Sequence, residues 1–363
     1  MNRKIKTIGL LLLITTGQVL YGQTSNEEKA LAKGREAIQL MDNGEIDESI
    51  KLLREAQKLD PVRIDYPYEL AFAHYLKEDY KETIKILKKI VGRKDAIERI
   101  FQLLGNSYDM VGKSKKAFKI YDAGLKKFPK SGMMYLEKGN VHWNKKEYDK
   151  ALPCYEKGIE VDPKFSSNYY RATKIYCNST EEVWGMIYGE IFMNIERNSN
   201  RTAEISKLLY DTYKSEIKFI NNTSRSVSFS KNASFNVNNL TDQSKMKLPF
   251  GVGVYEPTLM FSIVGVNTIN IETLNSIRSA FIDNYFKNGH DKTYPNVLFN
   301  YQKQVKDAGH IEAYNHWILM KGDEDEFEKW YSENEEKWNK FVQWFTDNGL
   351  KIDEQNKFFS GQY

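Results

Sequence analysis

Apolar residues recur at three- and four-residue steps over most of the chain, the period that turns one face of a helix toward its neighbours. The stretches are short and come in pairs. Turn-forming clusters separate the members of a pair: Asp42-Asn43-Gly44, Lys77-Glu78-Asp79, Gly112-Lys113 and Asn144-Lys145-Lys146. The pattern predicts helical hairpins repeated along the first half of the sequence. Their ends are also marked: Pro129 and Pro163 lie 34 residues apart, Pro61 and Pro129 twice that, and Asp95 fills the intervening place.

Within each hairpin one stripe answers another. Ala37 and Leu40 face Ser49, Leu53 and Ala56; Leu70, Ala71 and His74 face Thr83, Leu87 and Ile90. Phe101, Leu104, Gly105 and Tyr108 face Ala117, Tyr121 and Gly124; Tyr135, Gly139 and His142 face Ala151, Tyr155 and Gly158. Two helices approach closely only where a small residue sits at the crossing and a large one fills the space beside it. A 34-residue helix–turn–helix with this pattern resembles the tetratricopeptide repeat family. The units fall at about 30–63, 64–97, 98–131 and 132–165. A degenerate fifth begins at 166, where Tyr169, Ala172, Thr173 and Tyr176 fit a first helix; its second, from Glu181 to Arg197, carries Gly185 and Gly189 and no closing Pro.

The resemblance implies an all-α, right-handed α–α superhelix over 24–178, with a helical seam over 181–222. It also implies that first-helix residues not committed to packing line a concave groove. Here these are Tyr68, Phe72, Tyr75, Gln102, Asn106, Asp109, Met133, Leu136, Asn140, Trp143, Asn144, Tyr170 and Lys174. Aromatic rings supply contact area, and amides can pair with an extended peptide backbone. Asn106 and Asn140 stand at equivalent places and resemble the asparagines with which family members grip peptides. Chaperone-binding members hold a carboxylate with Lys, Asn and Arg. Of that set only Asn106 and Arg171 are kept; Gln102, Glu137 and Ser167 replace the others, and Glu137 would repel a carboxylate.

The second half, 223–363, resembles no family by its motifs. Helical patterning runs from Arg201 to Phe219, Glu272 to Phe286, Tyr294 to Lys306, Ile311 to Met320 and Glu324 to Thr346. The last has an apolar stripe of Phe327, Trp330, Tyr331, Trp338, Phe341, Val342 and Phe345. An Asn/Ser-rich stretch over 221–245 reads as a short β-hairpin or a long surface loop, and Leu259 to Val264 as a buried strand or a helix start. Lys351 to Tyr363 reads as loose.

Composition narrows the address and the chemistry. A basic opening (Arg3, Lys4, Lys6), an apolar core from Ile8 to Ile14, and small or polar residues up to Gly22-Gln23 have the layout of a signal peptide over 1–22. The expected protein is exported, periplasmic or secreted. No later stretch is apolar enough to span a bilayer, which takes about 20 residues. A net charge of +4, spread along the chain, does not point to nucleic acid. Cys154 and Cys177 fall on different faces and read as two small hydrophobes. Five histidines include no four-residue pair of the kind that binds zinc; His310 and His316 are six apart. The acidic run from Asp323 to Glu328 lacks a calcium loop's spacing and reads as a helix start. No catalytic residue, metal or cofactor is expected. The expected function is a protein-interaction scaffold that takes a protein or peptide partner in the groove; the alternative is an enzyme or accessory with its site in the C-terminal half.

Overall fold

A computed structural model describes residues 23–221, 224–231 and 248–363. The predicted signal segment, and most of the Asn/Ser-rich stretch over 221–245, lie outside the described residues. The described residues are all-α apart from one two-stranded hairpin. The chain divides into two compact units, 1–141 and 142–363. The boundary falls inside a helix of the fourth repeat.

The first unit holds α1 (Gln23–Asp42), α2 (Ile46–Leu59), α3 (Asp65–Leu76), α4 (Tyr80–Ile90), α5 (Glu98–Met110), α6 (Ser114–Lys127) and most of α7 (Gly132–Asn144). The predicted stripes form its core: Ala37, Leu53, Ala56, Leu70, Ala71, Leu87, Phe101, Leu104, Ala117 and Tyr121 are all buried. Leu40 is half-buried. The small-against-large rule is clearest at Gly105, where an added Cβ would overlap the Tyr121 ring.

One backbone feature states the repeat directly. Gly44, Glu78, Gly112 and Lys146, the turn residues between first and second helices, have φ of 87°, 61°, 73° and 60°. All four are left-handed, and they recur every 34 residues. Glycine adopts this conformation without penalty; Glu78 and Lys146 do not. Glu78→Gly and Lys146→Gly are each expected to stabilise their unit, by up to about 1 kcal/mol. Urea midpoints check this, and a loss of stability in both would show that the turns are not under left-handed strain.

The second unit continues with α8 (Tyr148–Val161), α9 (Ser166–Tyr176), α10 (Glu182–Ile195) and α11 (Asn200–Glu216). The two glycines that made the fifth repeat look degenerate serve close packing. A Cβ on Gly185 would lie 2.8 Å from the Cys177 amide nitrogen, and one on Gly189 would lie 2.9 Å from Leu209. As a result α10 is buried from Val183 to Asn194. Cys154 and Cys177 are both partly exposed and are not joined to each other by a disulfide.

The helix predicted over 201–219 ends at Glu216. Ile217–Phe219 becomes β1 and pairs antiparallel with β2 (Arg225–Val227), so that Ile217 faces Val227. A π-helical turn over Gly251–Tyr255 leads into α12 (Glu256–Ser262), which settles the Leu259 region as helix. After α13 (Ile271–Lys287) and the short α14 (His290–Thr293) come α15 (Val297–Asp307) and α16 (Ile311–Leu319). The long helix predicted over 324–346 is two, α17 (Glu324–Glu333) and α18 (Glu335–Asp347). Asn334 breaks it. With φ −130° it leaves the helical region, and its side-chain amide donates to the Trp330 carbonyl at 2.9 Å, competing for the bond that would continue the helix. Phe341 and Phe345 are buried as expected, but Val342 is 42% exposed.

The segment predicted to be loose is docked. Phe358 is 1% exposed, and Lys357 Nζ donates to the Glu160 carbonyl at 3.0 Å. The backbone amide of Ser360 donates to the Tyr188 hydroxyl at 2.7 Å.

Candidate functional site

In the first unit, Tyr68, Phe72 and Tyr75 follow one stripe of α3, and Gln102, Asn106 and Asp109 follow the matching stripe of α5. All six are partly exposed, because the buried positions of these helices lie on the other side. The core covers one flank of each ring, and Tyr68, Phe72 and Tyr75 pack against the cluster built on Ala71, Leu87 and Phe101. Met133 packs on that cluster too; Leu136 and Asn140 are partly exposed on α7.

The amides of this face are already organised. Gln102 donates to Glu137 at 2.7 Å, and Asn140 donates to the other oxygen of Glu137 at 3.2 Å. Asn106 Oδ1 accepts from the Tyr121 hydroxyl at 2.5 Å, so Asn106 is partly structural as well. Asp109 accepts from Ser114 at 2.7 Å. Burial pushes the Tyr68 hydroxyl up to about 12.

Glu69, next to Tyr68 on α3, was not singled out by the sequence reading. Burial pushes its carboxyl up to about 7, with Asp65 and Asp42 adding to the rise and Arg99 opposing it. A usable signal existed: Glu69 and Glu137 stand two repeat periods apart. A raised acid is more stable protonated, so its contribution is present below pH 4.5 and is lost as pH rises toward 7. Glu69→Gln is therefore expected to match wild type near pH 4 and to melt at a higher temperature above pH 7. Thermal melts across that range check it, and equal Tm values at pH 8 would contradict it.

In the second unit the corresponding residues are Trp143, Asn144, Tyr170 and Lys174. Asn144 is exposed and Trp143 partly so. The Trp143 ring meets Tyr148 edge-on at 5.1 Å and carries the Arg171 guanidinium at 4.9 Å and the Lys174 ammonium at 5.8 Å. Tyr170 is only 8% exposed. Its hydroxyl donates to Glu204 at 2.6 Å, and Arg201 lies 5.0 Å from its ring. Lys174 pairs with Glu204 at 2.6 Å. Ser167 accepts from Arg201 at 3.1 Å, so that Arg201, on α11, brings its charge beside the position where a carboxylate-binding repeat carries Lys.

These hairpins, with a left-handed turn every 34 residues, are matched at residues 134–165 by the tetratricopeptide repeat model. Residues 134–165 are a tetratricopeptide repeat, and the hairpins before them keep its 34-residue period. Two curated relatives are an Hsp70-Hsp90 organizing protein of Triticum aestivum, 26% identical over 136 residues, and Hsp70-Hsp90 organizing protein 3 of Arabidopsis thaliana, 24% identical over 137. Each match covers 38% of this chain but only 23% and 25% of the relative, so about a quarter of those proteins is represented. Among solved structures, PilF of Pseudomonas aeruginosa is 16% identical with a TM-score of 0.44, covering 53% of this chain and 86% of its own. MamA is 20% identical with a TM-score of 0.37, covering 47% and 92%.

In the C-terminal half a buried charged cluster meets a small cavity. Glu190, Arg278, Gln302, Tyr213 and Tyr255 line a space of about 20 Å3 among Met186, Ile187, Leu259, Phe281, Leu298 and Phe299. That holds about one water molecule, not a substrate. The repeat protein's cluster is bonded to itself. Arg278 pairs with Glu190 at 2.7 Å, donates to Asn315 at 2.8 Å and to Tyr213 at 3.2 Å; Gln302 and Tyr314 also donate to Glu190. Among the described residues no group of three or more His, Cys, Asp or Glu is placed to hold a metal ion, and no helix is long and apolar enough to cross a membrane.

Proposed function

We propose that this tetratricopeptide-repeat protein is an exported interaction scaffold that holds an extended segment of a partner protein along its first-helix faces. The observation that carries the reading is the α3–α5 face. Three aromatic rings are fixed on one flank by the core and open on the other, beside amides that can pair with a peptide backbone. Preorganised rings lose little entropy on binding, so they contribute contact energy efficiently. Export rests on the signal-type layout of residues 1–22.

Site-specific photo-crosslinking tests the groove. A benzoylphenylalanine at Tyr75 is expected to capture partner peptides in cell-envelope extract, and one at Lys119, exposed on α6, is not. Equal capture from both positions would remove the basis of the reading. Asn106→Ala is a poor probe because it also orphans the Tyr121 hydroxyl. N-terminal sequencing of protein from fractionated cells tests export, with Gln23 expected as the first residue.

A further inference from the structure

The first-helix face of the first unit is acidic as well as aromatic. Glu69 lies beside Tyr68 and within a turn of Phe72. Glu137 lies beside Leu136 on α7, and the Tyr75 hydroxyl feels the charges of Glu137 and Asp109. Against these three carboxylates the one cation acting on Glu69 is Arg99. The two glutamates are held differently. Glu137 is fixed by the Gln102 and Asn140 amides, an arrangement that orients its charge and leaves the Gln102 carbonyl oxygen as a further acceptor. Glu69 is half-buried, and the fall in its acidity reflects lost hydration.

We propose that this face selects a partner segment bearing Lys or Arg, with one cation at Glu69 beside the Tyr68 and Phe72 rings and another at Glu137 on the Tyr75 side of the face. The inference rests on the groove reading above and names its ligand class. A carboxylate already partly dehydrated on folding gives up less hydration on pairing with a partner cation than a solvated one does. The aromatic faces add a cation–π term in the same place. An acidic segment meets three like charges there. The second helices carry the opposite sign: Lys81, Lys85 and Lys88 on α4 and Lys115, Lys116 and Lys119 on α6 are exposed. A cationic segment is therefore repelled from the outer face, and its binding reports on the inner one.

The test is an array of 15-residue peptides with matched aromatic content and net charge from −4 to +4, probed with the full chain and its variants. Binding is expected to rise with positive charge, and Glu69→Gln/Glu137→Gln is expected to weaken the cationic peptides by roughly 5- to 20-fold. Binding of cationic peptides should also weaken below pH 7, as Glu69 takes a proton in the presence of Asp65, Asp42, Arg99 and Tyr68. Acidic or neutral peptides bound as tightly as cationic ones, with binding still lost in Tyr75→Ala, would overturn the charge assignment and leave the groove standing. Cationic peptides held equally by the double Gln variant and by Tyr75→Ala would overturn both.

Discussion

Arg278→Met is expected to cost about 3–5 kcal/mol, because it leaves the Glu190 carboxylate buried without its cation. Arg278 is 5% exposed and Glu190 2%. The guanidinium also supplies Asn315 and Tyr213, so three acceptors lose a donor at once. The cluster ties α10, α11, α13, α15 and α16 together through Glu190, Tyr213, Arg278, Gln302 and Tyr314. The loss should therefore appear as a lower urea midpoint for the whole second unit. Arg278→Met/Glu190→Met is expected to recover most of it, since replacing both partners of a buried pair by apolar groups is often neutral. A single variant within 1 kcal/mol of wild type would show that the pair is hydrated. A double variant no better than the single would assign the loss to packing.

The repeats were legible because they are local. A hairpin of two helices is specified by which positions are small, which are large and where the turn falls, and all three lie within 34 residues. The stripes around Gly105 and Tyr121, and the turn residues from Gly44 to Lys146, are read from spacing alone. The partly exposed residues of α3, α5 and α7 follow from the same register, since what the core does not use on a first helix is left exposed; Tyr170, read the same way, is instead buried, at 8% exposure. Register does not reveal charge coupling. Glu69 looks like any surface glutamate until the burial around it is known. Asn106 looks available until Tyr121 is seen to use its oxygen.

The second half was less legible because its determinants are distant in sequence. Asn334 splits a helix that the apolar stripe runs straight through, and the stripe continues because Phe327, Trp330 and Trp338 still meet across the break: Phe327 lies 5.5 Å from Trp338, and Trp330 lies 6.3 Å from it. Glu190 and Arg278 are 88 residues apart, so no spacing rule joins them. Gly185 and Gly189 broke the repeat pattern and suggested a seam, but they are what lets α10 sink into the core. The terminal segment gave the largest departure. Lys351 to Tyr363 has no periodicity, and periodicity is the signal that a sequence reading depends on.

That segment yields the second large effect: Phe358→Ala is expected to cost about 3–5 kcal/mol in the second unit. Phe358 is 1% exposed and lies among aromatic rings, with centroids 6.2 Å from Trp184 and 6.3 Å from Tyr188. Residues on both sides pin it. Lys357 caps the Glu160 carbonyl, and Ser360 donates through its hydroxyl to Glu156 at 2.8 Å. Tyr363 stacks on Phe250 at 5.7 Å and its hydroxyl donates to the Pro295 carbonyl. Glu156 shows why the strap matters. Burial raises its carboxyl, and donors from Tyr176, Tyr188 and Ser360 oppose that rise. Without the strap the carboxylate keeps two donors, Tyr176 and Tyr188, and the aromatic pocket opens to water. Ser360→Ala removes one hydrogen bond to a charged group and should cost about 1.5–3 kcal/mol, so the two variants rank the apolar and polar parts of the contact. Hydrogen exchange over 357–363 supplies the independent readout. Wild type should protect the Ser360 amide, and Phe358→Ala should lose that protection before the unit melts. A Phe358→Ala protein with wild-type stability, or a wild-type Ser360 amide that exchanges at the rate of an unfolded peptide, would return the segment to the loose state its sequence suggests.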